Sequence, residues 1–141
     1  MNGMTLEDFV KKYNEKKVDF DNAFGAQCVD LFRCYSKEGL GIPEHTGSCS
    51  TTGGAKDLYI DYPKMPLEKK YFYRISAKKG IFAGDVAIWD STETNKYGHV
   101  AIVLGELNNS LIVFEQDGFK QDGAKINVRS KNGLLGVLRH K

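Results

Sequence analysis

Three apolar, β-branched runs near the C-terminal end constrain this chain most: "GDVAIWD" at 84–90, "HVAIVLGEL" at 99–107 and "LIVFEQD" at 111–117. Each is bounded by turn-forming residues, and each is of strand length. They read as strands, with "NNS" joining the last two as a hairpin. "KINVRS" and "LLGVLRH" offer two further strands. The N-terminal part has a different period. "TLED" at Thr5–Asp8 reads as a capping box with Asp in place of the usual Glu or Gln. Leu6, Phe9, Val10 and Tyr13 then fall at helical spacing, which predicts a first helix to about residue 16. A second helix is expected from about Gln27 to Lys37, with Gly39 where a C-terminal cap belongs. Residues 41–80 are mixed: "GSCSTTGG" reads as loop, "AKDLYIDY" as a short helix and "YFYRISA" as a short strand. Helices followed by an antiparallel sheet predict an α+β domain, and 141 residues make one domain of ordinary size.

Charge and composition exclude several classes. Lys plus Arg number 20 against 18 Asp plus Glu, a net charge of +2. That balance gives no argument for nucleic acid as a partner. No apolar run approaches the roughly 18 residues of a membrane span, so no membrane partner is expected. The start, "MNGMTLEDFVKKYNEKK", has no apolar h-region of a secretory signal. Synthesis in a cytoplasm, with release by some other route, is therefore the expectation. The three cysteines, Cys28, Cys34 and Cys49, are odd in number and form no CxxC pair. Neither a disulfide framework nor a zinc site is supported. A monomer is the default.

"VDFDNAFGAQCVD", Val18 to Asp30, carries two chemistries in one stretch. Counted as a calcium loop of the EF-hand kind, Asp19, Asp21 and Asp30 take the first, third and twelfth positions. Ala23 and Gly25 take the fifth and seventh, where they offer backbone carbonyls only. Phe24 stands where an EF-hand has its turn glycine, and Asp30 where it has Glu, so a true EF-hand is not expected. The plainer alternative is that acidic residues favour the dipole of the helix that follows.

Cys28 falls in the first turn of the expected second helix, where backbone N–H groups and the dipole favour a thiolate. A thiolate nucleophile needs a base, most often His. Of the three histidines, His45 lies in a Gly/Ser/Thr-rich region and His140 beside the C-terminus, whereas His99 begins a strong apolar strand. Glu115 and Asp117 follow on the next strand. Strand alternation sets a condition: both acids share a face with His99 only if the hairpin loop has an odd number of residues or a strand carries a bulge. Against this stands the ordinary reading of each residue: Cys28 as a small buried hydrophobe, His99 as structural, and the acids as strand-end charges. Cys34 and Cys49 read as packing or exposed residues. The order Cys on a helix start, His on a strand and acid on the next is the papain-type layout.

"GAQCVDL", "GDVAIWD", "GHVAIVLG" and "IVFEQD" together resemble the CHAP domain, the cysteine, histidine-dependent amidohydrolase/peptidase module of the NlpC/P60 group. The resemblance covers roughly residues 5–140, and the Asp pattern around Cys28 resembles calcium-dependent phage endolysin CHAP domains in particular. It implies a papain-like fold, with N-terminal helices packed on a C-terminal antiparallel sheet, as a single catalytic domain over 1–141. It implies Cys28 as nucleophile, His99 as base and Glu115 as the acid that orients it, with Gln27 helping to polarise the scissile carbonyl. Asp117 stands where the family often has Asn, which leaves Glu115 and Asp117 both as candidates for orienting His99. It implies Ca2+ held by Asp19, Asp21 and Asp30 with the carbonyls of Ala23 and Gly25. The implied substrate is peptidoglycan, of Gram-positive walls by family resemblance, cut as an endopeptidase or an N-acetylmuramoyl-L-alanine amidase. The implied route to the wall is a holin, with any wall-binding domain on another part or chain.

Two other function classes compete. A cysteine acyltransferase on the same fold would not clear cell walls. A non-enzymatic calcium- or wall-binding module would be indifferent to Cys28→Ala. "TTGGAK" lacks the spacing of a P-loop and reads as a turn. Trp89 is weighed between lining the groove and sitting in the core.

Overall fold

A computed structural model describes residues 3–20, 27–117 and 119–141. Helix α1 spans Leu6–Tyr13, and Thr5 caps it by accepting the Asp8 N–H on its hydroxyl at 3.1 Å. Phe9 is the residue of this amphipathic helix that enters the core fully. The helix stops at Tyr13, short of the expected residue 16, where the Asn14 N–H returns to the Val10 carbonyl.

Helix α2, Cys28–Cys34, runs into a π turn over Tyr35–Gly39. Gly39 is therefore inside the turn and Leu40 caps it, contrary to the expected glycine cap. The reason for glycine here is close packing: a Cβ at 39 would lie 2.5 Å from the Tyr35 ring. Helix α3, Asp57–Ile60, forms within the stretch expected to be helical. Helix α4, Pro66–Tyr71, was not expected from the sequence, although Pro66 at its first position is a recognised start signal.

All six expected strand stretches form strands, as β1 (Phe72–Ser76), β2 (Val86–Trp89), β3 (His99–Leu107), β4 (Ser110–Glu115), β5 (Lys125–Ser130) and β6 (Leu134–His140). They build one antiparallel sheet in the order β1-β6-β2-β3-β4-β5. Alternation divides its two faces. Val86, Ile88, Val100, Ile102, Phe114 and Leu138 pack with Phe9, Leu31 and Phe32 of the helices. Ala87, Trp89, Ala101, Val103, Val113 and Val137 form a second cluster with Ile81 on the other face. Among the described residues no helix is long and apolar enough to cross a membrane.

The β3–β4 hairpin turns on two residues, Asn108 and Asn109. Two is even, and an even loop alone would place Glu115 of β4 on the helix-facing side. The register shifts between Val103 and Gly105, so Leu104 is an extra residue. Beyond this bulge Val103 faces Val113 and Ile102 faces Phe114. The one-residue shift turns Glu115 onto the face that carries His99.

Candidate active site

Cys28 is the first residue of α2 and His99 the first residue of β3, so helix-on-sheet packing brings both chain positions to one end of the sheet. Cys28 and His99 line the same cleft, and the thiol side chain favours the charged imidazole. His99 Nε2 lies 2.8 Å from Glu115 Oε1. With Nε2 turned to the carboxylate, Nδ1 is the nitrogen left for Cys28, which defines the ring orientation.

Glu115 is 2 % exposed and densely bonded. Arg129 donates from Nε to Oε1 at 2.8 Å and from Nη2 to Oε2 at 3.1 Å, and Asn127 donates from Nδ2 to Oε2 at 2.9 Å. Burial alone would raise this acid, but His99, Arg129 and Asn127 together hold it well below the usual carboxylate range. For His99, burial pulls the imidazolium down, while Cys28 and the Glu115 hydrogen bond outweigh it and raise the group to about 9. The ring thus keeps its proton through neutral pH.

Asn127 and Arg129 were missed by sequence reasoning. Their signal is the alternation in "KINVRS", which sets two polar residues on one face of a strand that pairs with β4. Trp89 resolves as a core residue behind His99. Its ring lies 5.8 Å from the imidazole, its indole N–H donates to the Ser130 carbonyl at 2.9 Å, and Arg129 stacks over it at 5.6 Å.

A cleft of about 380 Å³ opens over Cys28 and His99, with Gln27, Gly54, Tyr97 and Asp117 among its walls. Asp117 does not hydrogen-bond to His99. Its Oδ1 accepts the N–H groups of Phe119 at 2.8 Å and Lys120 at 3.3 Å, so it shapes the turn at the cleft edge. Gln27 is the exposed N-cap residue of α2, and its N–H donates to Asp30 Oδ2 at 3.0 Å. The "TTGG" stretch is a turn, as expected, with Gly53 at φ +78°. It is also a cleft wall, held by the Thr52 hydroxyl on Asp57 Oδ1 at 2.8 Å. His45 packs near Phe20 and His140 near Phe72, and neither lines this cleft. Burial pushes the Cys34 thiol up to about 11 and the Cys49 thiol up to about 12, which suits packing roles for both.

Of the expected calcium ligands, Asp21, Ala23 and Gly25 lie outside the described residues. Asp19 Oδ1 is buried with no hydrogen-bond partner among the described residues. Asp30 is 3 % exposed, bonded to the Gln27 N–H and 3.7 Å from Arg33 Nη1. Among the described residues no three His, Cys, Asp or Glu side chains gather as a metal cluster. An unsatisfied buried carboxylate oxygen is nonetheless the donor type that a hard cation takes.

The CHAP domain family matches residues 17–117, which is most of the chain and spans the cleft residues from Gln27 to Asp117. The chain is 26% identical over 149 aligned residues to endolysin PlyTW of Staphylococcus phage Twort, covering 94% of this chain and 29% of that protein. Among solved structures, the wild-type endolysin LysIME-EF1 superposes with a TM-score of 0.69 at 25% identity, over 96% of this chain and 64% of that one. Ly7917, solved with the hydrolyzing product of MDP, superposes with a TM-score of 0.64 at 19% identity, over 94% of this chain and 60% of that one. The chain therefore spans under a third of the phage relative and under two thirds of these two solved chains. Helices on an antiparallel sheet, the papain-like arrangement of these structural neighbours, and the match over 17–117 lead to one conclusion: this chain belongs to the CHAP domain family.

Proposed function

We propose that this chain is the catalytic domain of a peptidoglycan hydrolase that cleaves an amide bond through Cys28. The observation that carries this reading is the position of His99, hydrogen-bonded to Glu115 and lining one open cleft together with Cys28. Similarity to a Staphylococcus phage endolysin supports a bacterial wall, of the Gram-positive kind, as the substrate.

In this mechanism the Cys28 sulfur attacks the scissile carbonyl as a thiolate, its proton held on His99. The new carbon–sulfur bond forms and the carbonyl electrons move to oxygen. Gln27 and the Cys28 backbone N–H are the donors for that oxyanion. Collapse breaks the carbon–nitrogen bond, and His99 gives its proton to the leaving amine. Water then attacks the thioester while His99 takes up its proton, and the carbon–sulfur bond breaks to release the acid product and restore the Cys28 thiolate beside protonated His99. Glu115 keeps the ring oriented throughout, with Asn127 and Arg129 fixing Glu115. Asp117 shapes the cleft edge.

The same reading includes calcium. Asp19, Asp21 and Asp30, with the carbonyls of Ala23 and Gly25, would hold the ion, which supplies charge and rigidity to the segment before Cys28 and no chemistry of its own.

The test is turbidity loss of purified Gram-positive cell walls in millimolar calcium, comparing wild type with Cys28→Ala. Clearing by wild type alone supports the proposal, and mass spectrometry of the fragments distinguishes endopeptidase from amidase. Clearing by both proteins rejects Cys28 as nucleophile. Clearing by neither, across several wall types, favours an acyltransferase or a binding module.

A further inference from the structure

Gln116 is 0 % exposed and follows Glu115 directly. Adjacent residues of an extended chain point to opposite sides, so Glu115 reaches His99 while Gln116 reaches toward the helix layer. Its Oε1 accepts the Val18 N–H at 2.7 Å. Its Nε2 donates to the Val18 carbonyl at 2.7 Å and to the Gln27 carbonyl at 2.8 Å. One amide thus uses both of its N–H donors and one acceptor, all on backbone. The partners fix the amide orientation uniquely, because one is an N–H and two are carbonyls. They also sit at the two ends of the segment that leads into Cys28, and Gln27 is the residue before the thiol.

We propose that Gln116 is a positioning residue for the reaction: a side-chain clasp that ties both ends of the Val18–Gln27 segment to β4, and so sets Cys28 against His99 and Glu115. This rests on the reading of Cys28 as the nucleophile. The plain alternative is a core glutamine that only satisfies buried backbone groups. The two differ in what fails first. A clasp transmits its loss to the spacing of Cys28 and His99, where a shift of about 1 Å can cost on the order of 100-fold in rate. A core group transmits its loss to stability alone.

The experiment compares wild type, Gln116→Glu and Gln116→Met in millimolar calcium. The carboxylate of Gln116→Glu keeps the shape but presents an acceptor to two carbonyls, and Gln116→Met removes all three bonds. Two readouts are taken below the melting transition of every variant: kcat and KM for wall hydrolysis, and the rate of Cys28 alkylation by iodoacetamide, assigned by peptide mass spectrometry. The clasp predicts that kcat falls roughly 10- to 100-fold in both variants with KM little changed, and that Cys28 alkylation slows in parallel. Folded variants with wild-type kcat and wild-type alkylation overturn it. Variants too unstable to assay at any temperature also overturn it, since they make Gln116 a core residue. A wild type that alkylates rapidly at Cys28 yet clears no wall rejects the hydrolase reading instead, and the alkylation comparison then decides the role of Gln116 by itself.

Discussion

His99 Nε2 and Glu115 Oε1 lie 2.8 Å apart because β3 carries one residue more than its hairpin turn requires. The two-residue turn at Asn108–Asn109 would otherwise pair Glu115 with Ile102, on the helix-facing side. The extra residue at Leu104 restores the parity that the two side chains need. Deletion of Leu104 is therefore expected to break the His99–Glu115 hydrogen bond while leaving most of the sheet intact. Activity should fall by about 100-fold or more, the range for loss of general acid–base function. Loss of the downfield imidazole N–H proton in NMR spectra, with strand content retained by circular dichroism, is the check.

In the proposed mechanism, protonation of His99 sets the alkaline limit. Burial lowers this group, but Cys28 and the hydrogen bond to Glu115 prevail and raise it to about 9, while Arg129 opposes them. A group raised on folding contributes stability that is full below its ordinary value of 6.5 and lost as pH rises through about 9. Glu115 is held below its ordinary 4.5, so its contribution is present above that value and lost as pH falls further. Wall hydrolysis should decline as pH rises through about 9. Glu115→Gln should move that decline to lower pH and reduce the rate by roughly 100-fold or more. A pH–rate profile with an unmoved alkaline limb in Glu115→Gln would contradict the assignment.

Arg129 holds the Glu115 carboxylate by two hydrogen bonds from one planar group, which Lys cannot reproduce. Arg129→Met leaves a buried carboxylate with His99 and Asn127 as its remaining partners. Since Arg129 is about one-third exposed, the cost should be moderate, about 1–3 kcal/mol. That corresponds to a drop in Tm on the order of 5–10 °C. Arg129→Lys should recover part of the stability and less of the rate. Thermal melts and kcat values for both variants test this.

The proposed calcium site rests on the buried Asp19 oxygen, which has no hydrogen-bond partner among the described residues. Excess chelator is expected to lower wall hydrolysis and Tm, and calcium, not magnesium, to restore both, because magnesium demands a smaller octahedral shell. Asp19→Asn should raise the calcium concentration needed for half-maximal rescue. Full activity in chelator, with no metal bound in native mass spectrometry, would remove calcium from the proposal.

Much of this arrangement was legible in the residues. Strand alternation and turn signals located the sheet, the Thr5 cap located α1, and the order of Cys28, His99 and Glu115 along the chain pointed to one site. These are local properties, carried by a period of two or 3.6 and by side chains acting on neighbouring backbone. Asn127 and Arg129 were visible only as an alternating pair on a fifth strand, with nothing local to say which carboxylate they meet. Gln116 stood unremarked between two acids, because its partners are 98 and 89 positions away in sequence.

The sequence by itself determined the element types and the short list of chemically capable residues. It also stated the parity condition, an odd loop or a bulge, without deciding between them. Tertiary structure alone decided that a bulge at Leu104 satisfies that condition, that Glu115 takes His99 while Asp117 caps its own turn, and that Gly39 serves packing instead of capping. The physical reason is the same in each case: register and side-chain partners depend on contacts between segments distant in the chain, and no local preference encodes them.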